Sequence, residues 1–296
     1  MSLLTFKGGV HPNDGKALAK DKAIVQVQPK GDLVYPMSQH IGAPAVPIVA
    51  KGDHVLRGQM IAEAGGFVSA PIYASVSGTV KVIEPRFTPA GSKVNSIVIE
   101  NDGEYEEVEY STPKAVSEMS KEEILNAIGD AGIVGMGGAT FPTQVKLSPP
   151  PGSTAEVLII NGVECEPYLT ADHRLMLEHG KELITGIELI MKALGVKRAI
   201  VGIENNKKDA IEELGKHARL AEGIEICPLK IQYPQGGEKQ LIQAVTGKFV
   251  PSGGLPIAVG AVVQNVGTVY AVYEAVMKTA IRASSNSYRK SIERAG

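Results

Sequence analysis

Residues 132–147 read GIVGMGGATFPTQVKL, with Gly132, Gly135, Gly137 and Gly138 inside seven positions. Crowded glycines let a backbone approach a ligand, placing N–H groups around an anion or giving a flat ring room against the main chain. Neither familiar phosphate loop fits. A dinucleotide fingerprint from Gly135 needs glycine where Thr140 stands, and a Walker A loop needs a Gly-Lys pair that this stretch lacks. Lys146 adds a point charge of the kind phosphates attract. Downstream, INGVECEPYLTADHR places Asn161 at the end of an apolar run, with Glu164, Cys165 and Glu166 after it. Asn both donates and accepts, which suits a uracil-like edge, and a carboxylate pair suits ribose hydroxyls. In QYPQGGEKQL, Gly236 and Gly237 precede a helix whose first N–H groups favour an anion. Gln264 and Asn265 end another apolar run. Each feature also has an ordinary reading: a turn at 132–138, a helix-entry loop with exposed acids at 163–166, Glu238 complementing a helix dipole, Cys165 as a small buried residue.

The elements that must position these residues follow from periodicity. From about residue 155, the segments EVLIING, KRAIVGIE, IEICPLKI and VGAVV read as short buried strands. Between and after them, DHRLMLEH, KELITGIELIMKALG, NKKDAIEELGKHAR, EKQLIQAVTG and VYAVYEAVM read as helices. Helix-length crossovers predict an α/β domain with a parallel or mixed sheet. Before it, STPKAVSEMSKEEILNAIGDAG is a linker and then a helix. Ser120 and Glu123 are spaced for a capping box, and Gly132 for a stop. The glycine stretch therefore follows a helix, whereas a Rossmann turn follows a strand. The first hundred residues read as β structure in AIVQVQP, VPIVA, GTVKVIEP and NSIVIEN. The acidic ENDGEYEEVEY closes this part as a solvated edge strand or turn. The predicted division is a β-rich region at 1–112, an α/β domain at 113–278 and a polar basic tail at 279–296.

Composition narrows the class. The chain has 296 residues, 44% hydrophobic and 21% charged, which is room for two domains of a soluble type. A net charge of −2, 5% aromatics and no Trp supply neither the basic field nor the stacking platforms that nucleic acid needs. Two cysteines are too few for a four-cysteine cluster, and the six histidines show no metal-ligand spacing. Residues 249–273 carry no charge, but Pro251, Pro256, several glycines and Gln264-Asn265 interrupt them. A spanning helix needs about twenty predominantly apolar residues in one run. A loop, a buried strand and a helix fit better.

Residues 52–80, GDHVLRGQMIAEAGGFVSAPIYASVSGTV, resemble a biotinyl/lipoyl-carrier hammerhead. No lysine occurs between Lys51 and Lys81, and Gly65-Gly66 stands where a carrier bears its modified lysine. The resemblance implies a structural domain without the carrier function.

Taken in order, GMGGATFPTQVKL, INGVECEPYLTADHR, YPQGGEKQLI and VVQNVGTV resemble the C subunit of the Rnf electron-transport complex, as do FKGGVHP and SQHIGAPAVPIV. More distantly they resemble the NADH-binding flavoprotein subunit of respiratory complex I. The likeness covers roughly residues 5–277. It implies a Rossmann-like FMN/NADH-binding domain preceded by a small all-β, lipoyl-like barrel-sandwich hybrid. By the same resemblance, FMN would be held by Gly135, Gly137, Gly138 and Lys146, then Asn161, Glu164 and Cys165. Tyr233, Gly236, Gly237 and Glu238 would follow, with Gln264, Asn265 and Thr268 near the phosphate end. Phe141, Glu166 and Glu238 would meet NADH. Met136, Thr140, Val163 and Gln264 depart from the complex I pattern, which has Arg, Gly, an acid and Asn there. Full-length Rnf C subunits continue into a ubiquitin-like segment and an iron–sulfur domain that this chain does not resemble, so it is expected to be a truncation. The implied function is an FMN- and NADH-binding electron-transfer fragment of a ferredoxin:NAD+ oxidoreductase coupled to ion translocation. It would lie peripherally on the cytoplasmic side of the cell membrane, with membrane and redox subunits as partners. The alternative is a non-catalytic docking module with an empty flavin pocket.

Overall fold

Short strands bounded by Gly, Pro and Asn build the first part of the chain. The computed structural model describes residues 3–110 and 114–278; the tail at 279–296 lies outside the described residues. The strands are β1 (Asp32–Pro36), β2 (Val46–Pro47), β3 (His54–Val55), β4 (Met60–Glu63), β5 (Ile72–Tyr73), β6 (Gly78–Phe87) and β7 (Lys93–Asn101). They form two antiparallel sheets, β1-β7-β6-β3 and β2-β4-β5. Val55, Ile61, Val76, Val80, Ile97 and Ile99 close the core of this barrel-sandwich hybrid. Alternation along β6 sends Val80 inward and Thr79 and Lys81 outward, as a half-buried strand requires. At the hammerhead tip a Cβ on Gly65 would lie 2.0 Å from the Pro44 carbonyl oxygen. The tip is packed against residues 43–46, and only glycine fits there.

One expected strand is absent. AIVQVQP, residues 23–29, pairs with no sheet, and Val25 and Val27 are exposed. β propensity needs a partner strand and a face to bury, and this segment has neither.

The second part is α/β. Its helices are α1 (Lys121–Asp130), the single turn α2 (Thr143–Lys146), α3 (Ala171–Glu178), α4 (Gly180–Leu194), α5 (Lys208–Ala218), α6 (Glu238–Thr246) and α7 (Val266–Met277). The strands are β8 (Val157–Asn161), β9 (Ala199–Glu204), β10 (Ile224–Leu229) and β11 (Ala261–Asn265), all parallel in the order β10-β9-β8-β11. Both faces of the sheet are covered, so its strands are apolar almost throughout. Leu158, Ile160, Val201 and Val262 pack with Ile187, Ile190 and Val269 of α4 and α7 on one face. Val157, Ile159, Ile200 and Val263 pack with Leu241 and Ile242 of α6 on the other. Each such side chain contributes about 1.5–3 kcal/mol relative to exposure.

Helix α1 starts where expected: Ser120 Oγ accepts from Glu123 N–H, and Glu123 returns a bond to Ser120 N–H. Residues before β1 reach the second part of the fold. Leu4 bridges to Leu229 at the end of β10, and Val10 to Tyr233. Among the described residues no helix is long and apolar enough to cross a membrane.

Candidate functional site

Numbered along the α/β domain, the strands run 3-2-1-4, so the order reverses between β8 and β11. Loops leaving two such strands part to opposite faces, and the crevice between them is where open α/β sheets bind ligands. Asn161 and Asn265 end these two strands and are register partners. Both stand at the mouth of the crevice.

Four segments close around it. The glycine loop meets the start of α7: Met136 N–H donates to Thr268 Oγ1 at 2.8 Å, and a Cβ on Gly137 would lie 3.2 Å from Asn265 Nδ2. Gly137 has φ +73°, a left-handed backbone that favours glycine. The glycine loop meets α6 through Lys146 Nζ and Glu238 Oε1, 2.9 Å apart. The segment after β8 meets the turn before α6: Asn161 Nδ2 donates to Gly236 C=O at 2.8 Å, and Gly236 N–H donates to Cys165 Sγ at 3.3 Å. Glu164 accepts from the first N–H groups of α3, Asp172 at 2.7 Å and His173 at 3.4 Å. Asp172 Oδ2 then accepts from Asn265 Nδ2 at 2.7 Å, which returns the ring to its start.

Most of the polar side chains singled out from sequence are therefore engaged within this ring. Asn161 Oδ1 accepts from Val163 N–H, and Asn265 Oδ1 caps α7 through Gly267 N–H. The Glu164 side chain is buried rather than an exposed loop acid. Glu166 instead stands beside Tyr233, and its charge raises the phenol above its ordinary value. Phe141 ties the glycine loop by its main chain, its C=O accepting from Gly135 N–H at 2.8 Å. Gly237 is the N-cap position of α6 and has no side-chain cap. Gln264 is buried, and its Nε2 has no hydrogen-bond partner. Of the four described non-glycine residues with φ between +47° and +66°, three, Thr140, Glu164 and Tyr168, lie in these segments, and Tyr105 lies in the first part of the fold. Such conformations cost of order 1–3 kcal/mol and cluster where surroundings hold a site in shape.

Four charged groups under the ring escaped the sequence reading. Lys207 and Glu204 are almost fully buried, with Nζ and Oε2 3.7 Å apart. Lys207 Nζ also donates to Val163 C=O at 2.7 Å. Burial pulls the lysine below its ordinary value and pushes Glu204 above its own. Lys16, also buried, contacts Glu164 at 4.0 Å. Asp172 is pushed up to about 6, chiefly by desolvation and further by Glu164, against the Asn265 hydrogen bond and the two lysines. One signal was available: a lysine opening a helix, as Lys207 opens α5, opposes the dipole and needs a reason.

The Asp172 shift has a sign that can be tested. Its folded value lies above 3.8, so the folded state retains a proton that the unfolded chain releases. Stability must then fall as pH rises between about 4 and 6. Asp172→Asn is expected to flatten that decline, by up to about 3 kcal/mol, in urea denaturation across the window. An unchanged slope would show that Asp172 titrates normally.

The chain is similar to known proteins over most of its length. The Nuo51 FMN-binding domain matches residues 128–274, and the RnfC barrel sandwich hybrid domain matches residues 4–104. The C subunit of the proton-translocating ferredoxin:NAD(+) oxidoreductase complex of Clostridium ljungdahlii is 52% identical over 93% of this chain and 60% of its own length. Its counterpart in the Na(+)-translocating complex of Acetobacterium woodii is 46% identical over 92% of this chain and 62% of its own. The C subunit of the ion-translocating oxidoreductase complex of Rhodobacter capsulatus is 42% identical over 92% and 53%. The chain thus spans less than two thirds of these relatives. A solved NAD+-reducing [NiFe]-hydrogenase in the H2-reduced state aligns at TM-score 0.49 and 29% identity, covering 56% of this chain and 33% of its own. The chain belongs to the family of Rnf complex C subunits.

Proposed function

We propose that the closed ring at the switch point binds FMN, with NADH over it. The chain would then be the flavin-bearing, NADH-reactive part of a ferredoxin:NAD+ oxidoreductase coupled to ion translocation. The observation that carries this reading is the closure itself, since four segments far apart in sequence meet at the one crevice where this sheet topology favours a ligand. Three further features suit FMN. Gly138 faces open space, so a ring system has room there. The uncapped N-terminus of the nine-residue α6 favours an anion, as does Lys146 beside it. The orphaned Gln264 Nε2 offers a donor one residue from Asn265.

FMN, when bound, supplies the exchange between a two-electron hydride donor and one-electron carriers. The protein's own groups do the rest. Gly137 and Gly138 make room, Lys146 offers positive charge, and Asn161, Cys165, Thr268 and Asn265 hold the walls in register. Glu166, Phe141 and Glu238 would face NADH. Two cysteines cannot hold a four-cysteine cluster, so the one-electron partner lies outside these 296 residues, on a further domain or another protein of the complex. The working place would be the cytoplasmic face of the membrane, beside membrane-embedded subunits.

The test is a titration of the purified chain with FMN, followed by NADH without oxygen. Binding should quench flavin fluorescence and raise the melting temperature, and NADH should bleach the bound flavin. A folded chain with no affinity for FMN would instead support the docking-module alternative.

A further inference from the structure

The residues before β1 form a strap against two walls of the site. Lys230 N–H donates to Leu4 C=O at 3.0 Å, and Val10 and Tyr233 exchange two backbone bonds of 2.8 Å. Thr5 Oγ1 donates to Gln235 Oε1 at 2.8 Å. Further on, Tyr168 N–H donates to Asp14 C=O at 2.7 Å. A Cβ on Gly15 would lie 2.3 Å from the Tyr168 ring, so strap and loop interlock. One stretch, residues 4–16, thus touches both the turn before α6 and the loop after β8.

The strap ends on a buried cation. Lys16 is 5% exposed, an unusual place for an ammonium without a task. It donates to Glu166 C=O at 3.0 Å and Leu169 C=O at 2.5 Å, and it stands 4.0 Å from Glu164 Oε2. Lys207 Nζ donates to Val163 C=O at 2.7 Å. Two buried ammonium groups therefore hold three carbonyls of residues 163–169. That loop carries the strained backbones of Glu164 and Tyr168, which persist only where neighbours over-determine them. It also carries Cys165, the acceptor for Gly236 N–H, and Glu166.

We infer that Lys16 is a positioning residue of the flavin site: delivered by the strap, its ammonium holds residues 164–169 in the shape that forms the second wall. The inference rests on the FMN reading above. The charge matters because a neutral side chain cannot satisfy two carbonyls and a carboxylate together.

The experiment compares Lys16→Met, Lys16→Gln and Lys16→Arg with the wild type in the full chain. It reads FMN affinity by fluorescence titration and amide hydrogen exchange across residues 163–172. Lys16→Met should weaken FMN binding by about tenfold or more, the loss of one or two charge-assisted bonds. It should also speed exchange in the loop by about tenfold, with residues 32–101 unchanged. Lys16→Arg should stay within about threefold of wild type on both readouts. Should Lys16→Met fail to fold, Lys16→Gln, which keeps a donor without the charge, is read in the same way. Wild-type FMN affinity in Lys16→Met, or wild-type exchange in its loop, overturns the inference. A wild type that binds no FMN removes the flavin reading alone, and the exchange comparison still decides whether Lys16 holds the loop.

Discussion

Gly138→Val is expected to abolish FMN binding while leaving the fold intact. Unlike Gly137, Gly138 does not adopt the left-handed backbone, and a Cβ built on it meets nothing within 4 Å. The fold therefore has no need of glycine there, and an exposed substitution of this kind usually changes stability by no more than about 0.5 kcal/mol. Two branched methyl groups at that point would occupy the room assigned to the flavin. The dissociation constant should rise at least about a hundredfold, the equivalent of roughly 2.7 kcal/mol. Gly137→Ala should behave differently, losing about 1–2 kcal/mol of stability because its φ is +73°. Thermal melts and fluorescence titrations on the two variants separate a glycine kept for the fold from one kept for a ligand. A folded Gly138→Val with wild-type FMN affinity would return that space to solvent.

The largest stability effect should come from Lys207→Met. The lysine is 1% exposed, and its ammonium serves Val163 C=O, Asn206 Oδ1 and the Glu204 carboxylate. Removing it leaves Glu204, 2% exposed, with the Gln232 N–H and the field of Lys16 but no cation in direct contact. Breaking a buried pair from one side costs about 3–5 kcal/mol, mostly because an uncompensated charge remains. Adding Glu204→Gln to Lys207→Met should recover a large part of that loss. Urea denaturation of both variants and the wild type measures the coupling. A single variant within about 1 kcal/mol of wild type would mean that water already reaches this pair.

Much of this fold is legible in the sequence because its strands and helices carry unambiguous periods. KELITGIELIMKALG and KRAIVGIE each become the element their pattern predicts, and Ser120 with Glu123 caps α1 as spaced. AIVQVQP fails because its pattern is local, while a strand exists only where another strand is free to pair with it. The glycine-rich and Asn-containing segments were legible as places, since chain ends of buried strands and helix starts can be located from pattern. Their bonding was not. Asn161 and Asn265 look like free recognition groups in sequence, yet each spends its amide on the neighbouring wall. Lys16, Asp172, Glu204 and Lys207 were missed for a related reason: burial of a charge depends on long-range packing, and no spacing rule announces it.

The strap also dictates an order of events during synthesis. Thr5 and Gln235 meet although 230 residues separate them, and Leu4 waits for Lys230. A nascent chain that has not yet released the turn before α6 has nowhere to dock the strap. Contacts of such long range form late and slowly. Until they form, the turn before α6 lacks its bonds to Thr5 and Val10. The strap is thus made some 230 residues before it can be used, so the turn before α6 gains its hold only near completion of the domain.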